Sequence, residues 1–213
     1  MKVEIWSDVM CPFCYIGKRK FEIGLEQFEH KNEVEIIWRS FQLDSSIQTD
    51  ATKTVHQFLA ERKGISMEQA KEMNDCVSLV ANEVGLIYNF DNAIVANSFD
   101  AHRFSHFAKQ KGLQNEAEEI LFKSYFTDGK NTADYNTLIT IGNDIGLDAN
   151  EVKQMLENNL FTEEVKYDIY EAEQFGISGV PFFVFDRKFA VSGAQSSDVF
   201  LQTLIKVWED RVL

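Results

Sequence analysis

Three cysteines occur in this 213-residue chain, and two of them, Cys11 and Cys14, stand two residues apart in the segment MCPFCYIGK. A CxxC pair has two chemical uses. Its thiolates can supply half of a tetrahedral zinc site. As a dithiol it can cycle to a disulfide, one thiolate attacking a target and the other resolving the mixed disulfide that results. The zinc reading needs two further ligands, and His102 and His106 share one helical face at ligand spacing. No second CxxC exists, however, and the histidines lie far downstream of Cys14 rather than close behind it as in a zinc finger. Redox chemistry is the stronger reading, because the cysteine pair follows directly on a strand pattern. His102 and His106 then read as ordinary helix residues. Cys76, within MNDCVSLV, reads as a buried small apolar group, since unpaired cysteines rank among the most buried residues.

The surrounding elements explain why Cys11 would be the reactive member. Val3, Ile5 and Trp6 open a short strand that Ser7 and Asp8 break. From Pro12 to about Phe28 the apolar positions Phe13, Ile16, Phe21, Leu25 and Phe28 recur at mostly helical spacing, and a proline suits the first turn. Cys11 thus falls at a helix amino terminus, where unpaired N–H groups and the helix dipole favour a thiolate. Cys14 follows one turn later, within reach of the same sulfur.

Beyond this β-CxxC-α unit, residues 33–43 carry the β-branched and aromatic character of a second strand. Residues 45–160 then read as a large helical insertion, with no convincing strand from 53 to 160 and with Ser66 and Gln69 forming a candidate capping box. A helical pattern stops at Gly176; PFFVFD and KFAVSG form a strand pair, and an amphipathic helix closes the chain. The expected fold class is α/β: a discontinuous domain of residues 1–44 and 161–213, with the insertion at 45–160. Such an insertion is tolerable because loop-closure entropy grows slowly with length.

Composition removes several function classes. Hydrophobic residues make up 45% and charged residues 26%, a globular balance. No run approaches the ~20 apolar residues of a membrane helix, so no membrane partner is expected. The net charge of −13 disfavours phosphate-backbone binding and hence nucleic acid. The amino terminus MKVEIWSDVM alternates apolar and polar residues and lacks a signal-peptide pattern, so a cytoplasmic location is expected. A reducing cytosol does not preserve structural disulfides, which again points the cysteines to chemistry.

The chain has only two prolines, one between the cysteines and one in GISGVPFF before the third strand. A strand, SDVMCPFCYIGK and a distant GVPFF together resemble the thioredoxin superfamily. More specifically, CPFCYIGK, NSFDAHRF at 97–104 and GISGVPFFVFDRKFAVSGAQ at 176–195 resemble the DsbA-like FrnE group of dithiol oxidoreductases, over nearly the whole chain. The resemblance implies a thioredoxin-like fold with a helical insertion after the second strand. It also implies that Cys11 is the nucleophile, that Cys14 is the resolving thiol, and that Pro181 is cis and packs beside them. Pro12 and Phe13 support the site, and Val180 would offer its backbone N–H and C=O to an extended substrate. Phe13 departs from the histidine of the strongly oxidising relatives, and phenylalanine cannot help to stabilise a thiolate.

The implied partners are disulfide-containing proteins or small thiols. No metal and no cofactor are implied beyond the Cys11–Cys14 couple itself, with glutathione a candidate reductant or substrate. Kappa-class glutathione transferases and 2-hydroxychromene-2-carboxylate isomerases are similar in fold. Those enzymes are expected to use a lone serine where this chain has a complete cysteine pair. A non-enzymatic zinc module using Cys11 and Cys14 is the other alternative.

Overall fold

The computed structural model describes residues 1–212. In chain order the elements begin β1 (Lys2–Ser7), α1 (Pro12–Glu26), β2 (Glu35–Ser40), β3 (Asp50–Thr54), α2 (Val55–Lys63), α3 (Met67–Asn82) and β4 (Ile94–Val95). They continue α4 (Phe99–Gln110), α5 (Gln114–Phe126), α6 (Tyr135–Asp144), α7 (Ala149–Glu157), α8 (Thr162–Gln174), β5 (Phe182–Phe185), β6 (Phe189–Ser192) and α9 (Ser197–Val212). Two compact units result. One combines residues 1–43 with the C-terminal segment from Glu163, and the other spans Asp44–Thr162.

The first unit is built on a four-stranded sheet of order β2-β1-β5-β6, with β1 parallel to β2 and antiparallel to β5. Alternation along β1 sends its side chains to two faces. The Trp6 indole donates to the Asp168 carbonyl of α8 at 3.0 Å, so Glu4 and Trp6 share the α8 face. On the opposite face, Ile5 lies across from Phe183, whose ring packs on Phe21 of α1 at 5.5 Å and on Phe200 of α9 at 4.6 Å. All four of these residues are buried, each such burial contributing about 1.5–3 kcal/mol. Helices α1 and α9 approach closely because Gly24 has no side chain: a Cβ there would lie 2.6 Å from the Ser197 carbonyl oxygen.

The β5–β6 turn carries two non-glycine residues with positive φ, Asp186 at 46° and Arg187 at 56°. That geometry suits a tight hairpin but costs an ordinary side chain some strain. Arg187 is held in it by Glu4 and Glu171. Its Nε donates to Glu4 at 2.7 Å, and Nη1 donates to Glu171 at 2.9 Å.

The second unit is mainly helical. Thr54 and Ser66 each close a capping box, with Gln57 and Gln69 respectively. The expectation of no strand in this region fails in one place: β3 pairs antiparallel with β4 across an irregular register. Neither strand announces itself. Asp50–Thr54 is polar and largely exposed, and Ile94–Val95 is too short to show alternation. Cys76 is a second correction, because it lies exposed on α3 rather than buried. Helix α3 turns few side chains inward, so that even Leu79 is 65% exposed.

Within this unit the NSFDAHRF segment proves architectural. Asn97 donates to the Ile47 carbonyl at 2.8 Å and accepts from the Phe99 N–H at 2.9 Å. Arg103 is buried and donates to the carbonyls of Met155, Leu156 and Leu160, satisfying the C-terminal end of α7. His102 and His106 are buried on α4.

Candidate active site

Residues Ser7 and Asp8 end β1 and set the entry to α1. The Asp8 carboxylate is buried, accepting from the Met10 N–H at 3.2 Å and from the Leu43 N–H at 2.8 Å. The Cys11 N–H donates to the Asp8 carbonyl at 2.9 Å. Cys11 then occupies the N-cap position in extended geometry, with Pro12 in the first helical turn. The Cys14 N–H donates to the Cys11 carbonyl at 2.9 Å, which places the second thiol one turn into the helix. Both are free thiols, Cys11 just reaching the surface at 4% exposure and Cys14 at 0%.

The Val180–Pro181 bond is cis, and Pro181 is buried. The Cys11 thiol donates to the Val180 carbonyl at 3.4 Å, so this turn lies directly against the more exposed sulfur. The Pro181 carbonyl accepts from the Gly193 N–H at 2.8 Å, tying the turn to the end of β6. Phe13 is 45% exposed and leaves the space beside the cysteines without a titratable group of its own.

Burial pushes the Cys14 thiol well above its ordinary range, and the hydrogen bond and charge of Cys11 push it further. The Ser7 side chain and the Asp8 backbone act in the opposite direction. Cys14 is therefore held in its protonated form, and Cys11 is the more exposed of the two sulfurs.

All six residues singled out in the sequence, Cys11, Pro12, Phe13, Cys14, Val180 and Pro181, fall within the first unit. The reading missed three residues beside them: Ser7, Asp8 and Gly17. A Cβ on Gly17 would lie 2.8 Å from Pro181 Cγ, so this glycine is what lets α1 meet the proline ring. An isolated glycine inside a helical pattern was the available signal. Ser7 and Asp8 read only as strand breakers. Among the described residues, no group of three or more His, Cys, Asp or Glu side chains is arranged to hold a metal ion.

The comparisons with known proteins agree on the architecture. A probable DsbA oxidoreductase from Streptomyces coelicolor matches in structure with a TM-score of 0.92 and 38% identity, covering 98% of this chain and 90% of the other. The uncharacterized protein YwbO of Bacillus subtilis (strain 168) is 26% identical over 202 residues, 93% of this chain and 92% of that protein. A 2-hydroxychromene-2-carboxylate isomerase shares the fold at a TM-score of 0.71 and 12% identity, covering 100% of this chain and 98% of the other. The family model described as a DSBA-like thioredoxin domain matches residues 2–205, nearly the full chain, and the chain belongs to that family.

Proposed function

We propose that the protein is a thiol-disulfide oxidoreductase of the FrnE-like kind, exchanging or isomerising disulfides through Cys11 and Cys14. The observation that carries this reading is the placement of Cys11: an N-cap thiol, just accessible, against the Val180 carbonyl with a second thiol one turn behind it. Family membership supports enzymatic activity of the oxidoreductase or isomerase type in general. The local geometry supports the detailed chemistry proposed.

In this reading the Cys11 thiolate attacks one sulfur of a substrate disulfide; a Cys11–substrate S–S bond forms and the other substrate sulfur leaves as a thiolate. Cys14 then attacks Cys11, forming the Cys11–Cys14 disulfide and releasing the second substrate thiol. Two electrons have moved from the enzyme dithiol to the substrate, and the reverse sequence oxidises a substrate dithiol. If Cys14 does not complete its attack, a different substrate thiolate can attack the substrate sulfur bonded to Cys11, forming a new substrate disulfide and releasing the Cys11 thiolate, which is isomerisation. Val180 would pair with the substrate backbone, and Pro12, Phe13 and Pro181 shape the approach.

The substrates proposed are disulfide-containing proteins or small disulfides, with a thiol such as glutathione regenerating the dithiol. No resident cofactor, nucleic acid or membrane partner enters the scheme, and the proposed location is the cytoplasm. No described helix is long and apolar enough to cross a membrane. Phe13 argues for the reducing or isomerising direction, since it supplies no charge to stabilise the thiolate. A glutathione-dependent isomerase would have no use for Cys14, whereas its position one turn from Cys11 suits resolution. Equilibration with defined glutathione mixtures tests the reading: the protein should interconvert between two free thiols and one Cys11–Cys14 disulfide. A protein that keeps both thiols free at every ratio refutes it.

A further inference from the structure

Ser7 is the last residue of β1, on the strand face that carries Ile5 and looks toward α1. It is 2% exposed, and its hydroxyl oxygen makes no hydrogen bond of ordinary geometry, lying only within reach of the Cys14 thiol. A buried hydroxyl without such a bond costs stability relative to an alanine of similar shape. Such groups in native proteins call for an explanation, and a role in catalysis is one. The thiol on which the Ser7 side chain acts is Cys14, whose ionised form it favours. The other groups acting on Cys14 are accounted for. Cys11 opposes ionisation and the Asp8 backbone favours it, while the Asp8 carboxylate is occupied by the Met10 and Leu43 N–H groups.

We propose that Ser7 is a positioning residue for the resolving step, its hydroxyl donating a hydrogen bond to the Cys14 sulfur when that sulfur becomes a thiolate. The inference rests on the disulfide-exchange reading above and adds a residue to it. In the mixed disulfide, Cys14 loses its proton and its sulfur attacks Cys11 Sγ. The Cys11–Cys14 bond forms, the Cys11–substrate bond breaks, and the departing substrate thiolate takes up a proton, so protons and electrons balance without another reactant. At that moment the Cys14 charge sits at 0% exposure, where water cannot solvate it. A hydroxyl already in place and otherwise unengaged is the donor available, and it needs to break no other bond to turn toward the sulfur.

The test uses one equivalent of 5,5′-dithiobis(2-nitrobenzoate) with the reduced full-length protein in a Cys76→Ala background. The first nitrothiobenzoate released reports attack by Cys11. The second, released at a rate independent of reagent concentration, reports resolution by Cys14. Ser7→Ala should leave the first phase unchanged and slow the second about tenfold at neutral pH, as expected for a lost hydrogen bond to a charged group. Its pH profile should move to higher pH. The melting temperature of the reduced variant should be equal to or above that of the parent, which a merely structural hydroxyl would not give. Equal second phases in the two proteins, or a Ser7→Ala protein that unfolds or melts lower, overturn the role of Ser7. Absence of both phases in the parent protein instead overturns the disulfide-exchange reading itself.

Discussion

At the scale of single residues, the two cysteines differ by a few per cent of exposure and by what their sulfurs touch. Cys11 reaches the surface beside the Val180 carbonyl, whereas Cys14 is enclosed and its thiol is pushed well above the ordinary range by burial. The sign follows directly. Burial persists in the mixed disulfide and leaves little Cys14 thiolate at neutral pH, so resolution should accelerate, by up to about tenfold per pH unit, as pH rises through neutrality. Stopped-flow measurement of the resolving phase checks this, and a flat profile contradicts it. Phe13, 45% exposed, can be replaced without disturbing the core. Phe13→His should make the couple more oxidising by about 30 mV, a roughly tenfold change against glutathione, because an imidazolium would stabilise the thiolate form. An unchanged or lower potential would show that this position does not tune the couple. The cysteines were legible because their spacing is itself the chemistry. Ser7 was not, since a serine that ends a strand looks the same whether or not a sulfur lies opposite it.

At the scale of elements, two glycines of α1 govern how it packs. Gly24→Ala would place a Cβ 2.6 Å from the Ser197 carbonyl oxygen, and Gly17→Ala would place one 2.8 Å from Pro181 Cγ. Each should cost about 1–3 kcal/mol through overpacking, measured by denaturant unfolding. The two should differ in activity. Gly17→Ala presses on the turn that touches Cys11 and should slow disulfide exchange beyond its effect on stability, while Gly24→Ala should not. Equal activity losses at equal stability would refute the special place of Gly17. The sequence revealed β1, α1, the β5–β6 pair and the closing helix because each has strong local periodicity. It hid β3 and β4, whose pairing depends on a partner some 40 residues away and not on any alternation of their own.

At the scale of the whole chain, the first unit is assembled from both ends of the sequence, and a partly buried ionic network links them. The Arg39 guanidinium donates to Glu4 and Asp168, Arg187 bridges Glu4 and Glu171, and Asp168 also accepts from the Ser40 N–H. These contacts join residues 129 and 183 positions apart. Burial alone would raise the Glu4 carboxyl, but hydrogen bonds from Arg187 and Arg39, with their charges, hold it below its ordinary value. A depressed carboxylate stabilises the fold above its unfolded value of about 4.3 and loses that contribution as pH falls through the folded value. Acid unfolding should therefore begin below about pH 4.5. Glu4→Gln should flatten this part of the pH profile, and an unaltered profile would contradict the assignment. Arg39→Met removes one cation from the two buried carboxylates Glu4 and Asp168, Glu4 keeping Arg187, and should cost about 3–5 kcal/mol. None of this network could be read from sequence, because charge pairing across such separations leaves no local pattern. The central claim, that Cys11 attacks and Cys14 resolves, is tested most directly by trapping. Cys14→Ser in a Cys76→Ala background, mixed with glutathione disulfide and analysed by mass spectrometry of its peptides, should accumulate one stable glutathione adduct on Cys11. Cys11→Ser in the same background should accumulate none. Absence of the Cys11 adduct, or an equal adduct on Cys14 in the second variant, would contradict the account.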